Sequence, residues 1–261
     1  MGDGREPTTG IMVQSFLIAV QFLTRIPVRV HPRASQGDHR RAIVFYPVVG
    51  FLLGLLGVAL YFVLAMVLPQ AAVVVFVLMG LALVTGGLHE DGLADCADAF
   101  GGGYSREEML KIMRDSHIGV FGVLALGFIL SLKVISLLPL FDGDFGRSLL
   151  MGQVLGRWSV LPLAWALPQA RLEGLGRDFS TQLGPVSILL ATTFTFLVGI
   201  LLYQWNFIPI LLVACLLVGV FGLYCHRRVG GVTGDCHGAA IQMVELSVYL
   251  SVVALHTGVP V

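Results

Sequence analysis

Three aspartates in the segment 86–98 have the residue type and spacing of a divalent-metal site. Asp91, Asp95 and Asp98 stand at positions i, i+4 and i+7, so a helix would place all three carboxylates along one stripe. Such close like charges repel one another, and a bound Mg²⁺ would remove that penalty because it prefers oxygen ligands. The alternative is a solvated acidic turn at a membrane surface.

The next segment supplies a second set of polar groups. Ser105 followed by Glu108 is a capping box, which predicts a helix beginning there. That helix would deliver Arg114, Asp115 and Ser116 at its far end. Arg114 could steady phosphates and Asp115 could serve as a metal ligand or base, with Ser116 binding substrate. Alternatively, Arg114 and Asp115 only pair with each other.

A glycine-rich segment late in the chain provides a second candidate cradle for anions or metal. Residues 230–235 contain three glycines together with Thr233 and Asp235, just before an apolar stretch. Backbone N–H groups at a helix start favour anions. Glu245 lies inside that stretch, where a carboxylate is costly and usually functional. We predict that Thr233, Glu245 and Arg157 bind substrate, and the alternative is a structural Glu245 paired with Lys133 or Arg157.

The elements that position these residues are predicted to be membrane helices. Of 261 residues, 56% are apolar and 12% are charged, and apolar stretches of about 20 residues recur along the chain. The sequence predicts an all-α, polytopic integral membrane bundle, as a single domain over 1–261. It has a flexible N-terminus at 1–10, an interfacial or re-entrant helix near 11–28 and about seven transmembrane helices, near 42–68, 71–88, 118–138, 149–168, 186–203, 207–226 and 239–258.

The distribution of basic residues predicts the orientation. If the N-terminus is cytoplasmic, all lysines and arginines fall in cytoplasmic segments except Lys133, Arg147 and Arg157. The segments 89–117 and 226–238 are then cytoplasmic active-site loops on one side of the cell (inner) membrane, and they can form one site. The net charge of zero argues against nucleic acid as a partner. A homo-oligomer is compatible with the sequence.

Several motifs together resemble the cobalamin synthase family. They are Phe22–Val28, Phe45–Gly50, Gly86–Asp98, Met109–Gly119 and Gly231–Asp235. The resemblance implies adenosylcobinamide-GDP ribazoletransferase activity, in which α-ribazole or its 5'-phosphate attacks adenosylcobinamide-GDP and GMP leaves. It also implies Mg²⁺ as the cofactor.

The resemblance and the residue chemistry assign a role to each acidic group. Asp91, Asp95, Asp98 and Asp235 would hold the metal, and Asp98 or Asp115 would accept the proton of the attacking hydroxyl. A CDP-alcohol phosphotransferase is the second interpretation, although the Asp91–Asp95 segment lacks that family's Arg and later paired aspartates. A cation transporter is the third, although transporters place acidic groups near the middle of the membrane and this cluster is predicted at the cytoplasmic end of a span.

Overall fold

The chain folds into a bundle of α-helices. The computed structural model describes residues 8–30, 37, 41–170 and 184–257. Most of the segment predicted to be flexible, 1–10, lies outside the described residues, but Thr8–Gly10 begin the first helix. In the described ranges the α-helices are α1 Thr8–Leu23, α2 Tyr46–Ala65, α3 Gln70–Thr85, α4 Leu88–Gly102, α5 Arg106–Ile112, α6 Val120–Leu137, α7 Phe145–Trp158, α8 Val160–Ala166, α9 Pro185–Tyr203, α10 Phe207–Val229 and α11 Gly234–Thr257.

The helices confirm an all-α polytopic membrane protein but do not confirm seven spans. Among the described residues, four stretches are long and apolar enough to cross a membrane: Ile43–Ala65, Val120–Leu140, Pro185–Val229 and Gly234–His256. The bent pair α3 and α4 makes a fifth if it is counted as one span. The predicted span 149–168 is instead two short helices, α7 and α8, which meet at Ser159.

The bundle has two ends that are recognisable from polar contacts. At the end we call distal, His256 Nε2 lies 2.8 Å from Asp144 Oδ2 and Ser148 Oγ lies 3.0 Å from Tyr203 Oη. At the opposite end, which we call the site end, the Arg228 guanidinium donates to the Phe100 carbonyl at 3.0 Å. The start of α11 and the end of α4 therefore lie at the same end of the bundle.

Small residues let the central helices approach closely. Gly50, Gly54 and Gly57 lie at i, i+4 and i+7 on α2 and face α7. A Cβ at Gly54 would lie 2.8 Å from the Leu150 Cα, and one at Gly50 would collide with the Gln153 carbonyl. Backbone contact of this kind is how membrane helices gain packing energy where water supplies none between them.

Two glycines turn the chain from α3 into the acidic helix. Gly86 and Gly87 have φ of 70° and 69°, a left-handed conformation that costs glycine little, and the axes of α3 and α4 differ by 89°. The segment 89–117, predicted to connect two spans, therefore consists largely of two helices, α4 and α5. Glu90 and Asp91 in the first turn of α4 favour its N-terminal dipole. Of the predicted loop 226–238, only residues 230–233 separate α10 from α11.

Candidate active site

The acidic segment is helical, as the stripe of aspartates requires, but its carboxylates differ in environment. Asp91 is exposed, Asp95 is partly buried and Asp98 is buried. A helix places them on neighbouring turns, yet only the first two face open space. The three carboxylates therefore cannot share one role.

The two polar segments that are far apart in sequence pack directly together. A Cβ at Gly92 would lie 2.8 Å from the Asp235 carbonyl oxygen, so glycine allows α4 to touch the start of α11. One turn further along α4, Cys96 Sγ lies 3.9 Å from the Sγ of Cys236, the residue after Asp235. The predicted meeting of residues 86–98 and 231–238 at one end of the protein is confirmed.

Asp98 anchors another helix. Its two carboxylate oxygens accept hydrogen bonds from the backbone N–H groups of Gly119, at 2.7 Å, and Gly122, at 2.9 Å. These donors belong to the N-terminus of α6, whose N-cap is Gly119, where a carboxylate is favourable. The predicted roles of Asp98 as metal ligand and base do not fit this geometry, because both oxygens already hold α6.

Asp91 and Asp95 line a cleft at the site end. The cleft has a volume of about 760 Å³, and Ser116 also lines it. Thr24 and Arg25, which follow α1, also line the cleft. Sequence reasoning assigned no role to Arg25; the available signal was an arginine directly after an apolar helix, within a motif of the family resemblance.

The segment after α5 lies at the surface. The α5 capping predicted from sequence is confirmed, since Ser105 Oγ accepts from the Glu108 N–H at 3.1 Å. Arg114 is exposed and does not pair with Asp115. Asp115 instead accepts from His117 Nδ1 at 2.6 Å. This hydrogen bond lowers the pKa of Asp115 and raises the pKa of His117.

Thr233 and Asp235 form the first turn of α11. The Thr233 hydroxyl is buried and accepts from the Cys236 N–H at 3.3 Å, which is an N-cap. It also donates to Asp235 Oδ2 at 3.2 Å. Thr233, predicted to bind substrate, thus caps α11 in this structure. The backbone of Asp235 packs against Gly92.

Glu245 and Arg157 belong to a buried ionic network inside the bundle. Glu245 accepts from Lys133 at 2.6 Å and also from Arg157, and these three side chains are 3%, 2% and 2% exposed. Gln242 accepts from Lys133 at 2.5 Å and donates to Glu90 at 3.0 Å. The adjoining cavity measures about 20 Å³, which holds a water molecule but no nucleotide. The structural pairing of Glu245 is therefore observed, and the predicted substrate contacts of Glu245 and Arg157 are not.

The donor set of the cleft suits a metal that is completed by its ligand. In the described ranges, no group of three or more His, Cys, Asp and Glu side chains is arranged to hold a metal ion. Asp91 and Asp95 nevertheless offer two carboxylates to one cleft. Mg²⁺ is commonly held by one or two carboxylates, with water and substrate phosphates supplying the other positions. These residues fit Mg²⁺ delivered with a phosphorylated substrate.

Comparison with known proteins identifies the family. The family model described as cobalamin-5-phosphate synthase matches residues 15–253, which is nearly the whole chain. This chain belongs to the cobalamin-5-phosphate synthase family. The match includes the second half of α1, the residues that line the cleft and the ionic network.

Curated relatives agree with the family assignment. A protein of Pseudomonas syringae pv. syringae is 38% identical over 246 residues, covering 92% of this chain and 99% of the relative. One from Geotalea daltonii is 34% identical over 244 residues, covering 94% and 98%. Both are named adenosylcobinamide-GDP ribazoletransferase. No solved structure matches this chain, and the family match favours neither the CDP-alcohol phosphotransferase nor the cation transporter.

Proposed function

We propose that this protein is an adenosylcobinamide-GDP ribazoletransferase, which joins adenosylcobinamide-GDP to α-ribazole or α-ribazole 5'-phosphate. One observation carries the proposal: the match to relatives of that name runs almost end to end and includes the cleft lined by Asp91 and Asp95. The products are GMP and adenosylcobalamin or its 5'-phosphate. The enzyme would act as a transferase of phosphorus-containing groups.

The transfer exchanges one P–O bond for another. An oxygen of the ribazole hydroxyl bonds to the phosphorus that is linked to cobinamide, and the bond from that phosphorus to the bridging oxygen of GMP breaks. The hydroxyl proton must leave. Asp115 is the remaining sequence-predicted base, since Asp98 is occupied by α6. The adjacent Ser116 lines the cleft, and His117, hydrogen-bonded to Asp115, could share the proton.

Mg²⁺ is part of this proposal. Asp91 and Asp95 would hold it. Asp235, whose backbone packs against Gly92, would stabilise the position of α4 from α11. When bound, Mg²⁺ neutralises charge on the diphosphate and on the departing phosphate. Arg114, exposed at the end of α5, would add a cation for the same phosphates.

We also propose that the site end faces the cytoplasm in the cell (inner) membrane. Basic residues support this orientation: Arg106 donates to the Val229 carbonyl at 2.8 Å and Arg228 to that of Phe100 at 3.0 Å, both at the site end. Arg147 lies at the distal end beside Asp144. An excess of Lys and Arg marks the cytoplasmic side of a membrane protein.

The test is a reconstituted assay of the full chain in liposomes. We expect GMP release and corrinoid product formation that require adenosylcobinamide-GDP, α-ribazole and Mg²⁺. Asp91→Asn serves as the inactive control, and Glu107→Gln, an exposed change on α5, should leave turnover unchanged. CMP release from a CDP-alcohol without corrinoid product would refute the proposal.

A further inference from the structure

Arg25 is anchored through its backbone at the rim of the cleft. Its backbone N–H donates to the Val84 carbonyl at 2.7 Å, which is one of the last carbonyls of α3 that have no partner within the helix. Its side chain then passes over Gly86, where any Cβ would collide with the Arg25 Nε. Glycine at 86 is therefore needed both for the left-handed turn and for the passage of this side chain.

The cleft is lined by groups of opposite charge. Arg25 follows α1 and its side chain passes over Gly86, whereas Asp91 and Asp95 lie on α4. Arg25 is exposed, and none of the carboxylates within the described ranges forms an ion pair with it. Its charge is therefore available to a ligand that enters the cleft.

The charged side chains that line the cleft favour a ligand with two features. A guanidinium binds phosphate oxygens in a bidentate geometry, and two carboxylates bind a phosphate only through a shared cation. A diphosphate that carries a divalent cation can bind the guanidinium directly and the two carboxylates through the cation. We propose that Arg25 binds the diphosphate of the nucleotide-linked substrate, an inference that rests on the proposed function.

A purely structural role for Arg25 makes a different prediction. A cation after the last turn of α3 stabilises the helix dipole, and its loss would lower thermal stability without changing affinity for a phosphate ligand. A diphosphate-binding role changes affinity for GDP and leaves affinity for guanosine unchanged. Equilibrium binding therefore separates the two roles without depending on turnover.

The experiment compares Arg25→Gln, Arg25→Lys and Arg29→Gln in the full chain in detergent or nanodiscs. Arg29→Gln is the matched control, because Arg29 is exposed on the same segment but does not line the cleft. Binding of GDP and of guanosine is measured by calorimetry with Mg²⁺ present. We expect Arg25→Gln to weaken GDP binding about ten- to a hundredfold with guanosine unchanged. Arg25→Lys should recover part of the loss.

Two results would overturn the inference. GDP affinity equal to wild type in Arg25→Gln would exclude the contact, and an equal loss in Arg29→Gln would show only general attraction. If Arg25→Gln unfolds, a wild-type GDP affinity in Arg25→Lys, which cannot form the bidentate contact, would also count against it. Failure of the proposed function is distinguishable, since the wild-type protein would then bind GDP without releasing GMP from adenosylcobinamide-GDP.

Discussion

The ionic network predicts a large and specific stability loss for Glu245→Gln. Glu245 is the shared acceptor of Lys133 and Arg157, and the only other carboxylate of the network is Glu90, reached through Gln242. The wild-type network has two formal cations and two formal carboxylates. The substitution leaves two buried cations with one carboxylate.

The magnitude follows from the burial of these groups. Removing one partner of a buried ion pair costs about 3–5 kcal/mol, because the remaining charge is left without compensation. For a chain of this size, such a loss lowers the melting temperature by about 6–20 °C. Replacing an exposed carboxylate changes stability by no more than about 0.5 kcal/mol, so Glu107→Gln is a matched control of the same chemistry.

A double substitution tests the cause of the loss. Lys133→Met combined with Glu245→Gln again leaves one cation, Arg157, and one carboxylate, Glu90, and replacing a buried pair by apolar groups is often close to neutral. We expect the double variant to be more stable than either single variant in thermal unfolding of the detergent-solubilised protein. The buried pairing does not stabilise the fold if Glu245→Gln has the same melting temperature as Glu107→Gln. The same conclusion holds if the stability loss of the double variant equals the sum of the losses of the two single variants.

Other predictions concern the carboxylates of the site end. Asp91→Asn should lower turnover by about 100-fold or more, since even outer-shell partners of a metal contribute 10- to 100-fold. The variant should also need a higher Mg²⁺ concentration for GDP binding. An unchanged Mg²⁺ requirement would remove Asp91 from the metal site. Asp98→Asn should lower the free energy of unfolding by about 2–3 kcal/mol, because the amide group has one oxygen and cannot replace both carboxylate acceptors of the α6 N–H groups. Normal thermal stability together with lost activity would instead support a catalytic role for Asp98. In an NMR titration, the pKa of His117 should lie above its ordinary value and fall in Asp115→Asn. The stabilisation from His117 should be present at acidic pH and lost as pH rises through that raised pKa.

Much of the fold could be predicted from hydropathy and capping. The predicted spans near 42–68 and 186–203 correspond closely to α2 and α9, because long apolar stretches form helices in a bilayer. The capping box at Ser105 correctly predicted the start of α5. Hydropathy could not predict the number of spans, because α7 and α8 are each short and α7 carries the buried Arg157.

The roles within the site were less predictable than its location. The meeting of α4 with the first turn of α11 was predicted from the orientation of the spans and is confirmed by the contact of Gly92 with Asp235. Spacing alone could not distinguish Asp98 from Asp91, because the difference depends on which helix end packs beside each carboxylate. Arg25 was missed for a similar reason, since its spacing along the chain does not show that its side chain packs over Gly86 at the 89° bend between α3 and α4.

The contacts of α4 explain how so acidic a helix remains folded and which of its carboxylates face the cleft. Glu90 is engaged by Gln242 and Asp98 by the N-terminus of α6, so these two carboxylates tie the helix to its neighbours on opposite sides of the cleft residues. Asp91 and Asp95 lie between those anchors and face the cleft. Because both ends of this stretch are fixed to neighbouring helices, the anchoring sets the positions of Asp91 and Asp95 in the cleft. The proposed Mg²⁺ would therefore be held by carboxylates whose positions the fold has already set.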